Sequence, residues 1–324
     1  MTSSTRPAIL ADIGATNARF ALLVGSEPTT ITTYPVADYA SPIDAARAFL
    51  AGPAAGHKPF SAAIAAAGPV VNGRITMTNA AWTVDAVRLR EELVLDESHV
   101  LNDFEALAWA LPALRPDDLF RLGPVTDPAH GTMAVMGPGT GFGLAALARG
   151  QDGDTALVTE GGHATLPSED RREDAIIVTL RDALSHVSVE RVLSGPGLVH
   201  LYHAISVVDG LTVPGRTSAE IVSHALAGDC ETSRQALEMF CAFLGSVAGN
   251  TALTMGATGG VFIAGGIAPR FTDFLRRSAF RERFEAKGRM ASYLARIPTF
   301  VVMHPYPAFV GLARMVRGGA PMPG

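Results

Sequence analysis

Residues 9–23 read ILADIGATNARFALL, two apolar runs that meet at a small polar turn. The runs predict a strand that enters, a turn from Gly14 to Asn17, and a strand that leaves. Successive backbone N–H groups in a glycine- and hydroxyl-rich turn can form a concave site for phosphate oxygens. Asp12 ends the first strand, and a phosphate would repel its carboxylate unless Mg²⁺ lay between them. The stretch therefore fits a turn for a metal-bound nucleotide and, equally, an ordinary hairpin with a polar tip.

Composition limits the class of protein. The 324 residues suffice for two lobes with a sizeable core. The net charge is −5, and no run of Lys or Arg suggests a nucleic-acid or membrane partner. Cys230 and Cys241 are too few for a disulfide framework or a C-x-x-C zinc site, so we expect buried thiols in a reducing compartment. Only a short segment precedes the first strand, and no run of ~18 uninterrupted apolar residues occurs, so we expect a soluble cytoplasmic protein.

Near Thr132 the chain repeats its opening pattern. Residues 133–136 predict a strand, GPGTG at 137–141 a second turn, and residues 142–148 a second outgoing strand. One such turn in each half could hold a nucleotide between two lobes, so the repeat favours phosphate turns over plain hairpins. The other predicted strands are 30–36, 61–67, 74–77, 100–101, 261–264 and 297–303, and the predicted helices are 42–50, 84–92, 104–111, 169–184, 198–205, 237–251 and 308–316.

Three familiar nucleotide motifs are absent from the sequence. A dinucleotide fingerprint needs glycines at its first, third and sixth positions and then a helix, but the glycines at 137, 139, 141 and 143 precede a strand pattern. There is no G-x-x-x-x-G-K-[ST] and no H-R-D set of protein kinases. A nucleotide would then be held by the hairpin turns.

Polar side chains at three further places are candidates for chemistry. Asn102 and Asp103 follow a predicted strand, where α/β sheets gather their sites, although either could simply cap the next helix. Glu160 and His163 lie on a glycine-rich loop that could equally be a surface turn, and Glu190 could be a solvated charge. The long helix over 237–251 is predicted to be core, with Gly245 and Gly249 allowing close packing.

Six motifs together resemble those of bacterial glucokinases of the proteobacterial and cyanobacterial type. They are, in order, DIGATNAR (12–19), LNDFEA (101–106), GPGTGFG (137–143), EGGH (160–163), ERVLSGPGL (190–198) and GGVFIAGGI (259–267). The resemblance runs from Leu10 to about Ala313. It implies an α/β, two-lobed actin-like ATPase fold of the hexokinase type, each lobe a βββαβα sheet with helices, and a cleft between the lobes. The expected lobes are 1–112 plus 304–324, and 113–303.

The resemblance also implies the site and the reaction. Asp103 matches the base that takes the proton of the glucose 6-hydroxyl as that oxygen attacks the γ-phosphate of ATP. Mg²⁺ is expected to accompany ATP, near Asp12. Gly68 matches a loop that borders the sugar. The implied sugar-binding residues are Asn79, Asn102, Asp103, Glu160, His163 and Glu190. The implied nucleotide-binding residues are Asp12, Gly14, Ala15, Thr16, Asn17, Gly139, Thr140, Gly141, Gly265 and Gly266, the last two at the adenosine end. A homodimer acting in the first step of glucose use is also implied.

Two comparisons with the family pattern refine this expectation. Ala15 stands where the family usually has a second glycine, so its turn is expected to approach the phosphate slightly differently. Two cysteines eleven positions apart cannot form the C-x-C-G-x-x-G-C zinc motif of the related repressor and kinase group, so no structural zinc is expected. The alternatives are a kinase for mannose, fructose or N-acetylglucosamine, a sugar-responsive regulator, and an inactive scaffold. A regulator would need a DNA-binding module. A scaffold would be expected to have lost Asp103 or the phosphate-turn residues, and both are present.

Overall fold

The computed structural model describes residues 6–25, 27–77, 81–125, 130–151 and 153–318. Internal contacts divide the chain into two compact units. The first unit comprises Met1–Leu114, Gly150–Val158 and His304–Gly324, and the second comprises Arg115–Arg149 and Thr159–Met303. The lobes expected from the sequence, with boundaries at 112 and 304, stay a prediction.

The first unit is built on one mixed sheet. Its strands have the order β3-β2-β1-β5-β8, and β4 pairs with β2 outside this path. β1 is parallel to β5, and β5 to β8, while β1 and β2 form the predicted antiparallel hairpin. The strands are β1 (Ala8–Ile13), β2 (Asn17–Val24), β3 (Glu27–Pro28), β4 (Thr32–Pro35), β5 (Ser61–Ala66), the separate hairpin β6 (Arg74–Thr76) and β7 (Thr83–Asp85), and β8 (Glu97–Asn102); the helices are α1 (Pro42–Ala51), α2 (Ala86–Glu92), α3 (Asp103–Ala110) and α12 (Pro307–Gly318).

The second unit repeats this arrangement. Its sheet has the order β12-β11-β10-β13-β14-β9, with β10 antiparallel to β11 and parallel to β13. The repeat predicted from the sequence is therefore confirmed. The strands of this sheet are β9 (Leu119–Arg121), β10 (Met133–Pro138), β11 (Phe142–Gly150), β12 (Gly153–Thr159), β13 (Gly260–Ile263) and β14 (Thr299–Val302), and the residues of β12 up to Val158 are grouped with the first unit. The helices of the second unit are α4 (Arg171–Ala183), α5 (Val189–Val192), α6 (Gly195–Val208), α7 (Ser218–Ala227), α8 (Glu231–Met255), α9 (Thr272–Arg277), α10 (Phe280–Glu285) and α11 (Ala291–Leu294).

The long helix α8 forms the core of the second unit. By length and composition it could cross a membrane, but 78% of its most apolar window is buried inside the molecule, as in the core helix of a globular protein. A Cβ at Gly245 would overlap the carbonyl oxygen of Phe280, and one at Gly249 would overlap that of Phe284. These two glycines therefore let α10 approach α8, as the sequence predicts.

Several element bounds differ from the prediction, each for a local reason. Val84 lies in β7 and not in the helix that follows, because Asp85 is the N-cap of α2 and accepts the N–H of Arg88. Strand β8 begins at Glu97, three residues before the predicted start. The apolar pattern missed its first residues because they are polar, with Glu97 exposed and the next two only half-buried. The sequence pattern missed β9 and β12 because both are short of buried apolar residues.

Candidate active site

The first polar turn closes the β1–β2 hairpin. The N–H of Gly14 donates to the carbonyl of Asn17 over 2.9 Å, and the N–H of Val36 donates to that of Thr16 over 2.9 Å. Ala15 and Thr16 are exposed at its tip. Ala15 is not among the described residues with positive φ, so its methyl group strains nothing in the turn.

Asp12 sits beside this turn on the last part of β1. It lies opposite Arg19 of β2 in the sheet register, and 3.6 Å separates its Oδ2 from the Arg19 Nη1. The Arg19 guanidinium in turn lies 6.0 Å from the centre of the Tyr306 ring. Burial raises the pKa of Asp12, and the Arg19 charge opposes that rise. Because 27% of its side chain remains exposed, the carboxylate is available to a ligand.

Three parallel strands of the first unit end in one row. Ile13 of β1 pairs with Ala66 of β5, which pairs with Asn102 of β8. Neighbouring strands are ~4.8 Å apart, so β1 and β8 lie about 10 Å from each other. Asp12 and Asp103 therefore flank the carboxyl end of this sheet, the usual place for sites in α/β proteins.

Asn102 caps helix α3. Its Oδ1 accepts the N–H of Phe104 at 2.9 Å and that of Glu105 at 3.4 Å, and its Nδ2 donates to the carbonyl of Gly68 at 3.0 Å. The capping role considered from the sequence is thus confirmed for Asn102. The Gly68 φ of +131° is a conformation that side chains rarely adopt, which suits a glycine on this loop.

Asp103 is the first residue of α3. Its Oδ1 accepts the N–H of Phe104 at 3.0 Å, and the side chain is half-buried. The Phe104 N–H therefore helps to hold the Asp103 carboxylate in place at the carboxyl end of β8.

The second polar turn closes the β10–β11 hairpin. The N–H of Gly139 donates to the carbonyl of Gly141 over 2.8 Å, and the N–H of Gly195 donates to the carbonyl of Gly139 over 2.9 Å. The turn is thereby joined to the N-terminus of α6. Thr140 is exposed at its tip.

Glu190 is fixed against this turn. Its Oε2 accepts the N–H of Phe142 at 2.8 Å, and a Cβ on Gly141 would overlap the same oxygen. Glu190 lies in α5, a short helix with Ser188 as its N-cap. The interpretation of Glu190 as a freely solvated charge is therefore wrong.

Glu160 and His163 occupy a tight turn beside the same strand. The carboxylate Oε2 of Glu160 lies 3.8 Å from Nε2 of His163, and both side chains are more than 60% exposed. Between them, Gly162 is buried so closely that a Cβ would overlap the carbonyl oxygen of Phe142. Phe142 thus binds Glu190 through its N–H and packs against the Glu160–His163 turn through its carbonyl, which brings the three polar side chains to one region of the second unit.

The glycines after β13 lie against the second turn. Gly265 has φ +85°, and a Cβ there would approach the carbonyl oxygen of Pro138 to 2.5 Å. The N–H of Ala264 donates to the carbonyl of Met136 over 2.7 Å. Gly266 has open space around it.

The predicted site residues thus form two groups, one in each unit. The first unit holds Asp12, Gly14, Ala15, Thr16, Asn17, Asn102 and Asp103, and the second holds Gly139, Thr140, Gly141, Glu160, His163, Glu190, Gly265 and Gly266. Asn79 lies outside the described residues. Sequence reasoning gave no role to Arg19 or Phe142. The hairpin register could have indicated Arg19 opposite Asp12, whereas Phe142 acts through its backbone and left no sequence signal.

Comparison with known proteins agrees with this arrangement. The family model described as Glucokinase matches residues 9–318. A glucokinase from Paramagnetospirillum magneticum is 46% identical over 310 residues, which cover 95% of this chain and 97% of that protein. The crystal structure of a glucokinase from an Antarctic psychrotroph is 37% identical, covers 96% of this chain and 99% of that chain, and has a TM-score of 0.90.

A more distant structure shows the same fold. A ROK family glucokinase from Streptomyces griseus, in complex with glucose and AMPPNP, is 19% identical, covers 97% of this chain and 100% of that chain, and has a TM-score of 0.64. The repeated strand-turn-strand element on two mixed sheets is that of the actin-like sugar kinases. Within that class, the chain belongs to the glucokinase family, whose members phosphorylate a sugar.

Proposed function

We propose that this chain transfers the γ-phosphoryl group of ATP to the 6-hydroxyl of glucose, with Asp103 as the general base. The observation that carries the proposal is the position of Asp103, a half-buried carboxylate directly after β8, the parallel edge strand of the first unit's sheet. Family membership supports the sugar, and the glucose and AMPPNP in the Streptomyces griseus relative support both substrates. The proposal includes the homodimer, the cytoplasmic location and the role in the first step of glucose use.

The sugar would be held by carboxylate, amide and imidazole groups. Glu160, His163 and Glu190 can each bond the hydroxyls of a hexose, since a sugar ring presents many donors and acceptors. Asn102 is oriented by its bonds to Gly68 and the α3 backbone, so its amide has a fixed direction. Such fixed groups lower the entropy cost of positioning the 6-hydroxyl for attack.

Asp103 would accept the hydroxyl proton late in the reaction. Phosphoryl transfer passes through a loose transition state, so a weak base suffices and positioning matters more than basicity. The Phe104 N–H orients the carboxylate through its bond to Oδ1. After transfer, the protonated Asp103 releases that proton to water, which restores its carboxylate.

The two polar turns would hold the phosphates of ATP. Their backbone N–H groups and the Thr16 and Thr140 hydroxyls supply neutral donors. Asp12 fits a site for Mg²⁺ beside the first turn, because it offers a partly exposed oxygen ligand there and Mg²⁺ takes few protein carboxylates besides phosphate and water. Mg²⁺, when bound, would neutralise charge on the transferred phosphoryl group.

The test is ADP release from MgATP with a panel of hexoses, comparing the wild type with Asp103→Asn. Asparagine keeps the acceptor for the Phe104 N–H but cannot take a proton, so we expect kcat to fall by about 10²–10⁴ with the glucose KM nearly unchanged. Asp96→Asn is the control, because that carboxylate is 64% exposed and remote in sequence from both turns. Wild-type turnover by Asp103→Asn would refute the assignment of Asp103 as the general base. Faster turnover of mannose, fructose or N-acetylglucosamine would refute glucose as the preferred substrate. Nucleotide binding with no turnover of any sugar would favour a regulator.

A further inference from the structure

Cys230 stands at the N-terminus of the longest helix in the described part of the chain. It is the N-cap of the 25-residue helix α8 and is partly exposed. As the thiol, Cys230 makes no side-chain capping hydrogen bond of regular geometry, although it occupies the position whose side chain usually caps a helix. A thiolate there would face the positive end of the helix dipole.

Three polar groups surround this sulfur. The N–H and hydroxyl of Ser233, a fully buried residue, face it, and Nη1 of Arg216 donates to that hydroxyl over 2.9 Å. The Arg216 guanidinium also lies 5.9 Å from the centre of the Tyr202 ring. Burial acts to raise the pKa of Cys230, but Ser233 and Arg216 outweigh it, so the pKa is lowered.

The hydroxyl of Tyr202 is the second, independent feature. Tyr202 is completely buried, and its hydroxyl forms no hydrogen bond of regular geometry with any described residue. Burial raises its pKa, Arg216 opposes the rise, and Cys230 beside it adds to the rise. A buried hydroxyl that lacks a well-formed hydrogen bond is unfavourable, so a new acceptor oxygen on the adjacent sulfur would be favourable here.

The other charges near Cys230 are already paired. Asp229 accepts from His224 Nδ1 at 2.7 Å, and Glu231 pairs with Arg234 at 2.5 Å. Glu220 faces Arg216 from α7 but also accepts the N–H of Thr217 at 2.8 Å. Arg216 is therefore the cation that faces the sulfur from outside α8.

We propose that Cys230 is a peroxide-sensitive modification site, at which a sulfenic acid forms and is held by Tyr202 and Arg216. The thiolate sulfur attacks one peroxide oxygen, the S–O bond forms, and the O–O bond breaks. Sulfur is oxidised by two electrons, and the departing hydroxide takes a proton to become water. The new oxygen accepts the Tyr202 O–H, which in the thiol form makes no hydrogen bond of regular geometry with the described residues.

The fold leaves Cys230 without an internal thiol to resolve the product. Cys241 lies eleven residues along the same helix, about 16 Å away by helical rise, whereas a disulfide needs Cα atoms within about 7 Å. Burial raises the pKa of Cys241 to about 12, so it is also unreactive. Reversal then requires an external low-molecular-weight thiol, through a mixed disulfide.

The first test measures alkylation of the full-length protein by iodoacetamide across pH, with each cysteine followed by peptide mass spectrometry. We expect a Cys230 midpoint clearly below 8.5, the usual value of a free thiol, and no reaction at Cys241. Arg216→Gln and Ser233→Ala should raise the midpoint. Each pH unit by which it rises should lower the alkylation rate at pH 7 roughly tenfold. Arg216→Lys, which keeps the charge, should stay near wild type. A wild-type midpoint at or above 8.5 overturns the proposal.

The second test treats the protein with hydrogen peroxide and traps sulfenic acid with dimedone. The adduct is expected at Cys230 alone, and glutathione added before dimedone should abolish it. Tyr202→Phe keeps the ring and removes only the hydroxyl, so it should shorten the sulfenic acid lifetime severalfold. Cys230→Ser should show no adduct and unchanged basal phosphorylation, and thermal melts confirm folding of each variant. Absence of an adduct at Cys230, or equal labelling of Cys241, refutes the site.

Discussion

Glu190 shows how one side chain can join two functional regions. Its carboxylate accepts the Phe142 N–H. The same oxygen fits beside the turn only because Gly141 has no side chain. A residue proposed to bind sugar is thus positioned by a turn proposed to bind phosphate. A change in the turn should then alter sugar binding.

Gly141→Ala tests this coupling. The added methyl group would displace the Glu190 carboxylate and break its bond to Phe142, an interaction to a charged group worth about 1.5–3 kcal/mol. We expect the sugar KM to rise about tenfold or more and the free energy of unfolding to fall. Gly139→Ala is the matched control for stability, because the nearest atom to its Cβ is 4.0 Å away. Equal melting temperatures and equal sugar KM values for the two variants would contradict the prediction.

The Asp12 carboxylate is expected to lower the free energy of unfolding, although it serves the proposed nucleotide site. Its folded pKa is raised above the ordinary 3.8, so the native state binds the proton more tightly than the unfolded chain. Stability therefore falls as pH rises from about 3.8 through the raised pKa, and remains lower above it. Asp12→Asn should gain in melting temperature over wild type at pH 7.5, gain less at pH 4.5, and show a higher KM for MgATP.

The control for Asp12→Asn is Asp96→Asn, whose carboxylate is mostly exposed. Its melting temperature should differ from wild type by a small amount at both pH values. If Asp12→Asn proved less stable than wild type at pH 7.5 but not at pH 4.5, the ion pair with Arg19 would outweigh burial, and the prediction would fail.

At the scale of elements, the packing of helix α8 depends on the space that its glycines leave for a neighbouring helix. Phe280 and Phe284 of α10 place their carbonyls over Gly245 and Gly249, and both rings are fully buried. Backbones approach this closely only where no Cβ intervenes. The glycines therefore set the distance between α8 and α10, although glycine itself is a poor helix former.

Gly245→Ala should consequently destabilise the protein. Alanine would gain up to about 1 kcal/mol in helix propensity, but overpacking against a backbone carbonyl costs about 1–3 kcal/mol. We expect a lower denaturation midpoint in urea with an unchanged slope. Thr254→Ala, at an exposed position of the same helix, should leave the midpoint within error. A stabilised Gly245→Ala variant would show that α10 can move away freely.

The same elements show what a sequence can and cannot predict. Strands β1 and β10 were predictable because they are continuous buried apolar runs, and α8 because its apolar residues keep helical period. Strand β12 alternates exposed and half-buried residues, so no apolar run marks it. The bond from Phe142 to Glu190 joins residues 48 apart, and no local pattern encodes that distance. Local sequence patterns therefore predict individual strands and helices, whereas contacts between distant elements become visible only in the folded structure.

At the scale of the whole molecule, the last helix completes the unit in which the chain begins. A Cβ on Gly311 of α12 would overlap the carbonyl of Ala106 in α3, and Arg314 of α12 forms an ion pair with Asp154. The first unit is therefore closed by residues from three separate parts of the sequence. Helix α3 carries Asp103 at its start, so the packing of α12 also supports the proposed base.

Gly311→Ala should loosen the first unit alone. The methyl group would push α12 away from α3 at a cost of roughly 1–3 kcal/mol, because a backbone carbonyl cannot turn aside as a side chain can. Hydrogen exchange followed by mass spectrometry should show faster exchange in α3 and α12, with β10 and β13 of the second unit unchanged. Gly318→Ala, in the same helix with open space around its Cβ, should exchange like wild type. Uniformly faster exchange in both units would mean that they unfold together. The stability of the first unit would then depend on the whole chain, and not on the contact of its last helix with α3.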